Sequence, residues 1–201
     1  MLELAIGTGR LALPLAERGL EVHGIDASER MVAKLREKPG GDRIPVTMGD
    51  FADVGVEGRY ALIFIGFNTF FALQSQDEQV RCFANVAAHL DDGGVFVVEG
   101  FVPDLARFDR GQRTNTTGVE ARRLLIDASQ HDPVEQRVVS QHVVITEEET
   151  KLYPVSIRYA FPSELDLMAR LAGLELQNRW GGWRREPFTG DSPRHVSVYG
   201  R

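Results

Sequence analysis

The 201-residue chain has a single cysteine, Cys82, so no disulfide can form within it. That suits a reducing compartment, and the cytoplasm is the expected location. No apolar run approaches the roughly eighteen residues of a membrane-spanning helix, so no membrane association is expected. Met1 leads straight toward a glycine turn, without the basic and apolar segments of a secretory signal. Positive charge is the minority sign: 23 Lys and Arg stand against 29 Asp and Glu, a net charge of −6. Nonspecific binding to nucleic acid needs a basic face, so nucleic acid is not an expected partner. No internal repeat or low-complexity segment stands out. An apolar share of 43% is ordinary for a globular chain. One domain over residues 1–201, with a core large enough to stand without crosslinks, is the expectation.

What is present begins at once. Leu2-Glu3-Leu4-Ala5-Ile6-Gly7-Thr8-Gly9-Arg10 reads as a buried strand, a glycine turn and the start of a helix over about 11–18. Gly7 and Gly9 lack a Cβ, so the backbone can turn sharply and approach a ligand. A helix opening there points free N–H groups at a polar or anionic guest. A second strand, 21–25, ends on Asp26, whose carboxylate can accept both hydroxyls of a ribose. The pattern predicts a nucleotide-type pocket at the carboxyl edge of a sheet. With Ala12, Gly7-Thr8-Gly9 also fits the dinucleotide pattern GxGxxA, so an NAD-dependent oxidoreductase stays open here. The first strand is barely long enough for such a sheet, and helices upstream of it are expected to be missing.

Strands and helices alternate to about Glu99. Helix 29–37 has Ser28 as its N-cap, strand 46–48 follows the Pro39-Gly40-Gly41 break, and strand 60–65 is continuously apolar. Helix 75–89 carries Val80, Phe83, Ala84, Ala87 and Leu90 on one face, then Asp91-Asp92-Gly93-Gly94 turns into strand 95–99. This alternation predicts a doubly wound parallel sheet. After Pro103 the pattern changes. Segments 117–128, 134–146 and 149–160 read as strands in an antiparallel β insertion over 111–160. A helix from Pro162 stops at Gly173, and 174–180 and 195–199 close the chain as an antiparallel pair.

Taken in order, these segments resemble a class I S-adenosylmethionine-dependent methyltransferase of the small-molecule type. Glu3-Leu4-Ala5-Ile6-Gly7-Thr8-Gly9 is similar to the family's first motif, with Ala5-Ile6 where glycine or cysteine is frequent. Asp26 matches the ribose-binding acid, with Ala27 beside it. Gly49-Asp50-Phe51 matches the motif after strand three, whose acid meets the adenine amino group. Gly66-Phe67-Asn68-Thr69-Phe70 matches the motif after strand four, near the amino-acid part of the methyl donor. Leu90-Asp91-Asp92-Gly93-Gly94 resembles the turn before strand five, with Asp92 in place of proline. The terminal hairpin matches the family's ending. The resemblance implies a Rossmann-like seven-stranded sheet of order 3-2-1-4-5-7-6 with its last strand antiparallel. It implies S-adenosylmethionine as cofactor, no metal site, and methyl transfer to a nitrogen or oxygen of a small-molecule substrate. Glu3 would accept from the cofactor's ammonium. A cofactor-binding protein with little activity, lacking its N-terminal helices, is the alternative.

The proton acceptor is sought among the histidines, since imidazole titrates near neutrality. His131 and His142 lie in the insertion, the segment expected to cover the substrate, and are the candidates. His23, His89 and His195 sit in a strand, at a helix end and in the last strand, where structural roles suffice. Glu99 and Asp104 lie at the carboxyl edge and either meet an amine substrate or stay solvated. Trp180, Trp183, Arg184 and Arg185 either wall the substrate pocket or simply pack the last hairpin. Cys82, in mid-helix, reads as packing. Two copies of the chain are expected to pair through the insertion's exposed strands.

Overall fold

The longest apolar strand run, Tyr60–Ile65, forms β4, near the middle of the larger of two sheets. The computed structural model describes residues 1–201. Before β4 come β1 (Leu2–Leu4), α1 (Ala12–Glu17), β2 (His23–Asp26), α2 (Glu29–Arg36) and β3 (Val46–Met48). After it come α3 (Gln76–His89), β5 (Leu90–Phe101), β6 (Gln112–Glu120), β7 (Arg123–Asp132), β8 (Arg137–Thr146) and β9 (Thr150–Arg158). The chain closes with α4 (Pro162–Leu171), β10 (Glu175–Trp180) and β11 (Arg194–Gly200). The seven-stranded sheet has the order β10-β11-β5-β4-β1-β2-β3. The five strands from β3 to β5 are parallel, and β11 runs antiparallel between β5 and β10. The order reverses between β1 and β4, which opens a crevice at their carboxyl ends.

The parallel strands are apolar because helices cover both faces. Leu2, Leu4, Ile25, Ile63 and Ile65 are essentially inaccessible, and burial of each such side chain contributes about 1.5–3 kcal/mol. On one face Phe83 sets its ring edge-on against Phe96 and Tyr199, with centroids 5.2 and 5.5 Å apart. Ser75 and Glu78 cap α3 reciprocally. Gly173, at φ +73°, ends α4, with Leu174 N–H donating back to the Ala169 carbonyl.

Three local expectations are corrected. The buried stripe of α3 is rotated from the expected one: Gln79, Cys82, Phe83, Val86 and Ala87 face the core, while Ala84 is exposed. Gln79 is tolerated there because its amide donates to the carbonyls of Leu73 and Arg158. Strand β5 begins at Leu90, and Asp91–Gly94 lie within a register shift against β4 rather than in a separate turn. Segment 117–128 is not one strand. It folds back at Ala121-Arg122, so the second sheet has four antiparallel strands, β6-β7-β8-β9. A two-residue connection without glycine gives no turn signal to read.

A buried polar knot ties this second sheet to α3 and α4. Arg158, at the end of β9, is 6% exposed. Its guanidinium donates to Gln79 (2.6 Å), Glu164 (2.8 Å) and Gln136 (3.1 Å). Gln136 and Gln76 also donate to Glu164. Burial acts to raise the Glu164 pKa, but the donors from Gln136, Arg158 and Gln76 outweigh it and hold the carboxyl below its ordinary value.

Candidate active site

The loop after β1 is built on backbone that side chains resist. Ala5, Gly7 and Gly9 all have left-handed φ, at +55°, +57° and +72°. A Cβ at Gly9 would lie 2.3 Å from a Leu35 methyl, so glycine there lets the loop close onto α2. Asp26, at the end of β2, holds the loop: Oδ2 accepts from Gly7 N–H (2.7 Å) and Oδ1 from Ser28 N–H (2.8 Å). Lys38 Nζ donates to the Thr8 carbonyl from the other side (2.6 Å). The loop walls a cavity of about 500 Å³ bordered by Glu3, Ala5, Gly7, Thr8, Asp26 and Phe67, among others. Glu3 is 5% exposed and its Oε2 has no hydrogen-bond partner. Burial pushes its pKa up to about 8, against the opposing pull of the Ala12 N–H and the Arg10 charge.

Several expected residues stand on the same rim but outside this cavity. Gly49 follows β3 and donates its N–H to the Asp26 carbonyl (3.0 Å), so the ends of β2 and β3 lie side by side. Asp50 is exposed and caps the following turn through Ala52 N–H (2.8 Å), and Phe51 packs half-buried against the core. Ala27 is exposed, Gly66 is buried at the end of β4, and Gly9 faces α2; none of these borders the cavity. Asn68 opens onto a second cavity instead.

That second cavity, of about 620 Å³, lies between the end of β4 and the inner face of β7–β9. Its wall from β7 and β8 is polar, with Asp127, Ser129, Ser140 and His142 in register on one face. Ser129 Oγ is 3.0 Å from Asp127 Oδ1 and 2.8 Å from Ser140 Oγ. His142 Nδ1 is 3.7 Å from Asp127 Oδ2, with the imidazole half exposed to the cavity. The facing wall is aromatic, with Phe67, Phe101, Phe108 and Tyr159. His131 does not border this space. It lies behind the wall, stacked on Phe108 with centroids 4.5 Å apart and hydrogen-bonded to the Tyr159 hydroxyl (2.9 Å).

Phe67 and Thr69 border both cavities. Phe67 and Asn68 are left-handed, at φ +57° and +61°, a conformation that costs each residue about 1–3 kcal/mol. The Phe67 N–H donates to Glu99 Oε2 (2.7 Å), and a hydrogen bond to a charged group is worth about 1.5–3 kcal/mol, enough to offset much of that cost. The Phe67 ring lies under the Arg10 guanidinium, 3.6 Å from Cζ to centroid.

The remaining candidates take structural places. His23 Nδ1 meets the Tyr60 hydroxyl (3.3 Å), and the His89 ring nitrogens meet the carbonyls of Asn85 (2.7 Å) and Val56 (3.1 Å). His195 is fully buried against Ser197, and burial lowers its pKa to about 4. Trp180 packs under Arg185 in the last hairpin, and neither tryptophan borders either cavity. Burial pushes the Cys82 thiol up. Arg10, Asp127, Ser129 and Ser140 were not among the expected site residues, and Thr69 entered only within the motif after strand four. Period-two spacing puts Asp127 and Ser129 on one face with His131, and Ser140 with His142, which was the available signal.

The sheet ends with an antiparallel β11 between β5 and β10, the order that the methyltransferase resemblance implied, and an acid-rimmed cavity stands at its switch point. The chain belongs to the class I S-adenosylmethionine-dependent methyltransferases, and S-adenosylmethionine is its cofactor. Residues 1–94 match the family model described as a methyltransferase domain. The solved CcbJ methyltransferase of Streptomyces caelestis is 43% identical, with TM-score 0.93 over 98% of this chain and 81% of that one. The cypemycin N-terminal methyltransferase of a Streptomyces species is 29% identical over all of this chain and 82% of its own length. CalS10, an amino pentose methyltransferase from Micromonospora echinaspora, shares the fold at 21% identity and TM-score 0.72, over 98% of this chain and 81% of its own. No helix is long and apolar enough to cross a membrane.

Proposed function

We propose that this chain moves the methyl group of S-adenosylmethionine to a nitrogen atom of a small-molecule amine. The observation that carries the reading is the shared wall: with Phe67 and Thr69 bordering both cavities, a donor in one lies beside an acceptor in the other. Methyl transfer needs the nucleophile about 3 Å from the methyl carbon and in line with the bond that breaks. When bound, the cofactor supplies the activated methyl group. The protein supplies binding, orientation and a place for the proton.

The residues fit that group. The unpartnered, buried Oε2 of Glu3 suits the ammonium of its amino-acid part. A carboxylate has about four acceptor sites, so Asp26 retains capacity for ribose hydroxyls beyond the N–H groups of Gly7 and Ser28. Ala5, Gly7, Thr8 and Gly9 form the loop around the donor, with Ala27 continuing the rim. Gly49, Asp50 and Phe51 lie along that rim for the adenine, and Gly66, Phe67 and Asn68 flank the reacting end. On the acceptor side, His142 takes the proton released by the amine, with Asp127 holding the imidazole. Asp127 also gives the cavity an anionic group that suits an amine. Two relatives point the same way by name, one an N-terminal methyltransferase and one acting on an amino pentose.

In this reading residues 1–201 are one methyltransferase domain, and 111–160 is an insertion that roofs the acceptor cavity. Its outward face, where Val139 and Leu152 are exposed, is where two copies pair, so the chain should sediment as a dimer. The test of the activity is formation of S-adenosylhomocysteine from S-adenosylmethionine over a panel of small amines, phenols and carboxylates. Turnover with amines supports the reading. Turnover with phenols alone would move the acceptor atom to oxygen. Binding of the donor without any transfer would leave only a cofactor-binding protein.

A further inference from the structure

Glu99 ends the apolar run of β5 at the carboxyl edge of the sheet, where a carboxylate needs a reason. It lies beside Gly66, because β4 and β5 run in parallel register with Ile65 opposite Val98. Gly66 has no side chain to obstruct the crossing: a Cβ there would lie 3.5 Å from Glu99 Oε2 and 3.2 Å from Leu11. The carboxylate reaches over it to the Phe67 N–H (2.7 Å). That N–H would otherwise be left over, since the turn that follows uses Thr69 N–H to Gly66 carbonyl and Phe71 N–H to Asn68 carbonyl. Phe67 is therefore held twice, by Glu99 at its backbone and by Arg10 at its ring. It is also the wall common to the donor and acceptor cavities.

We propose that Glu99 is a positioning residue for methyl transfer: it locks the left-handed Phe67 turn and so fixes the aromatic wall against which donor and acceptor are aligned. This rests on the methyltransferase reading of the two cavities. The reach of the Glu99 oxygen comes first, and its charge strengthens the bond. Glu99→Gln keeps an oxygen at the same reach, Glu99→Asp keeps the charge but falls short, and Glu99→Ala removes both.

Three measurements on the full chain test this: amide hydrogen exchange at Phe67, calorimetric binding of S-adenosylhomocysteine, and turnover with the most active amine of the panel. In Glu99→Ala and Glu99→Asp, Phe67 exchange should speed up at least tenfold and the rate at saturating S-adenosylmethionine should fall at least tenfold. Affinity for S-adenosylhomocysteine should fall less than the rate does. Glu99→Gln should keep the protection and at least a third of the rate. Rates in the Ala and Asp variants within twofold of the parent would overturn the proposal, as would a Gln variant as slow as Ala. A Phe67 amide unprotected in the parent chain would overturn it too. If no amine on the panel turns over, the function above fails, and the exchange results alone then decide whether Glu99 holds the turn.

Discussion

Glu3 carries the clearest single-residue consequence. Its folded pKa of about 8 stands above the ordinary 4.5, so the folded state binds a proton that the unfolded state releases across that window. Stability from this group is full below pH 4.5 and is lost as pH rises toward 8, at up to about 1.4 kcal/mol per pH unit. Glu3→Gln should flatten that slope in urea titrations between pH 5 and 8. An unchanged slope would place the titration elsewhere. An ammonium docking on Oε2 favours the ionised form. Binding of S-adenosylhomocysteine at pH 7 should therefore release a proton, seen in calorimetry as a dependence on buffer ionisation enthalpy. Ala5 supplies a second prediction. An alanine at φ +55° is strained where glycine is not, so Ala5→Gly should stabilise by about 1 kcal/mol, a rise of ~2–4 °C in Tm. A fall in Tm would mean that the Ala5 methyl makes contacts worth more than the strain. At His142, replacement by alanine should lower kcat about 100-fold or more if it takes the proton, with donor affinity unchanged. Equal rates would remove it from the reaction.

At the scale of elements, the fold was legible wherever one periodicity dominated. The apolar run 60–65, the Ser28 cap, the helix expected over 75–89 and the Pro162 and Gly173 limits of α4 all match the structure closely. Legibility failed where local signals were weak. The β6–β7 turn has no glycine, and the α3 stripe rotates because a buried glutamine meets its partners only in three dimensions. The site divides in the same way. Glu3, the glycine loop and Asp26 are contiguous with apolar strands and could be read in line. The polar wall of the second cavity depends on pairing of β7 with β8, which places Asp127 beside His142 and Ser129 beside Ser140. The prediction at this scale concerns the Arg158–Glu164 knot. Breaking a buried ion pair costs about 3–5 kcal/mol, so Arg158→Ala should show a large loss in urea unfolding. Glu164, with its pKa held low, contributes stability present above pH 4.5 and lost as pH falls through its folded pKa. Glu164→Gln should remove that acid-side loss, and an unaltered acid limb would contradict the assignment.

Over the whole molecule, the proposed division of labour is that one sheet binds and a second sheet covers. The doubly wound sheet sets Glu3, Gly7 and Asp26 around the cavity at its switch point, proposed for the donor, and the four-stranded sheet lays Asp127, Ser129, Ser140 and His142 over the second, proposed for the acceptor. The two meet at Phe67 and Thr69. The most direct measurement is a crystal structure with S-adenosylhomocysteine. Its ribose should lie at Asp26, its ammonium at Glu3 and its sulfur toward Phe67 and Thr69. Density for the ligand anywhere else, or a sulfur facing away from that wall, would contradict it.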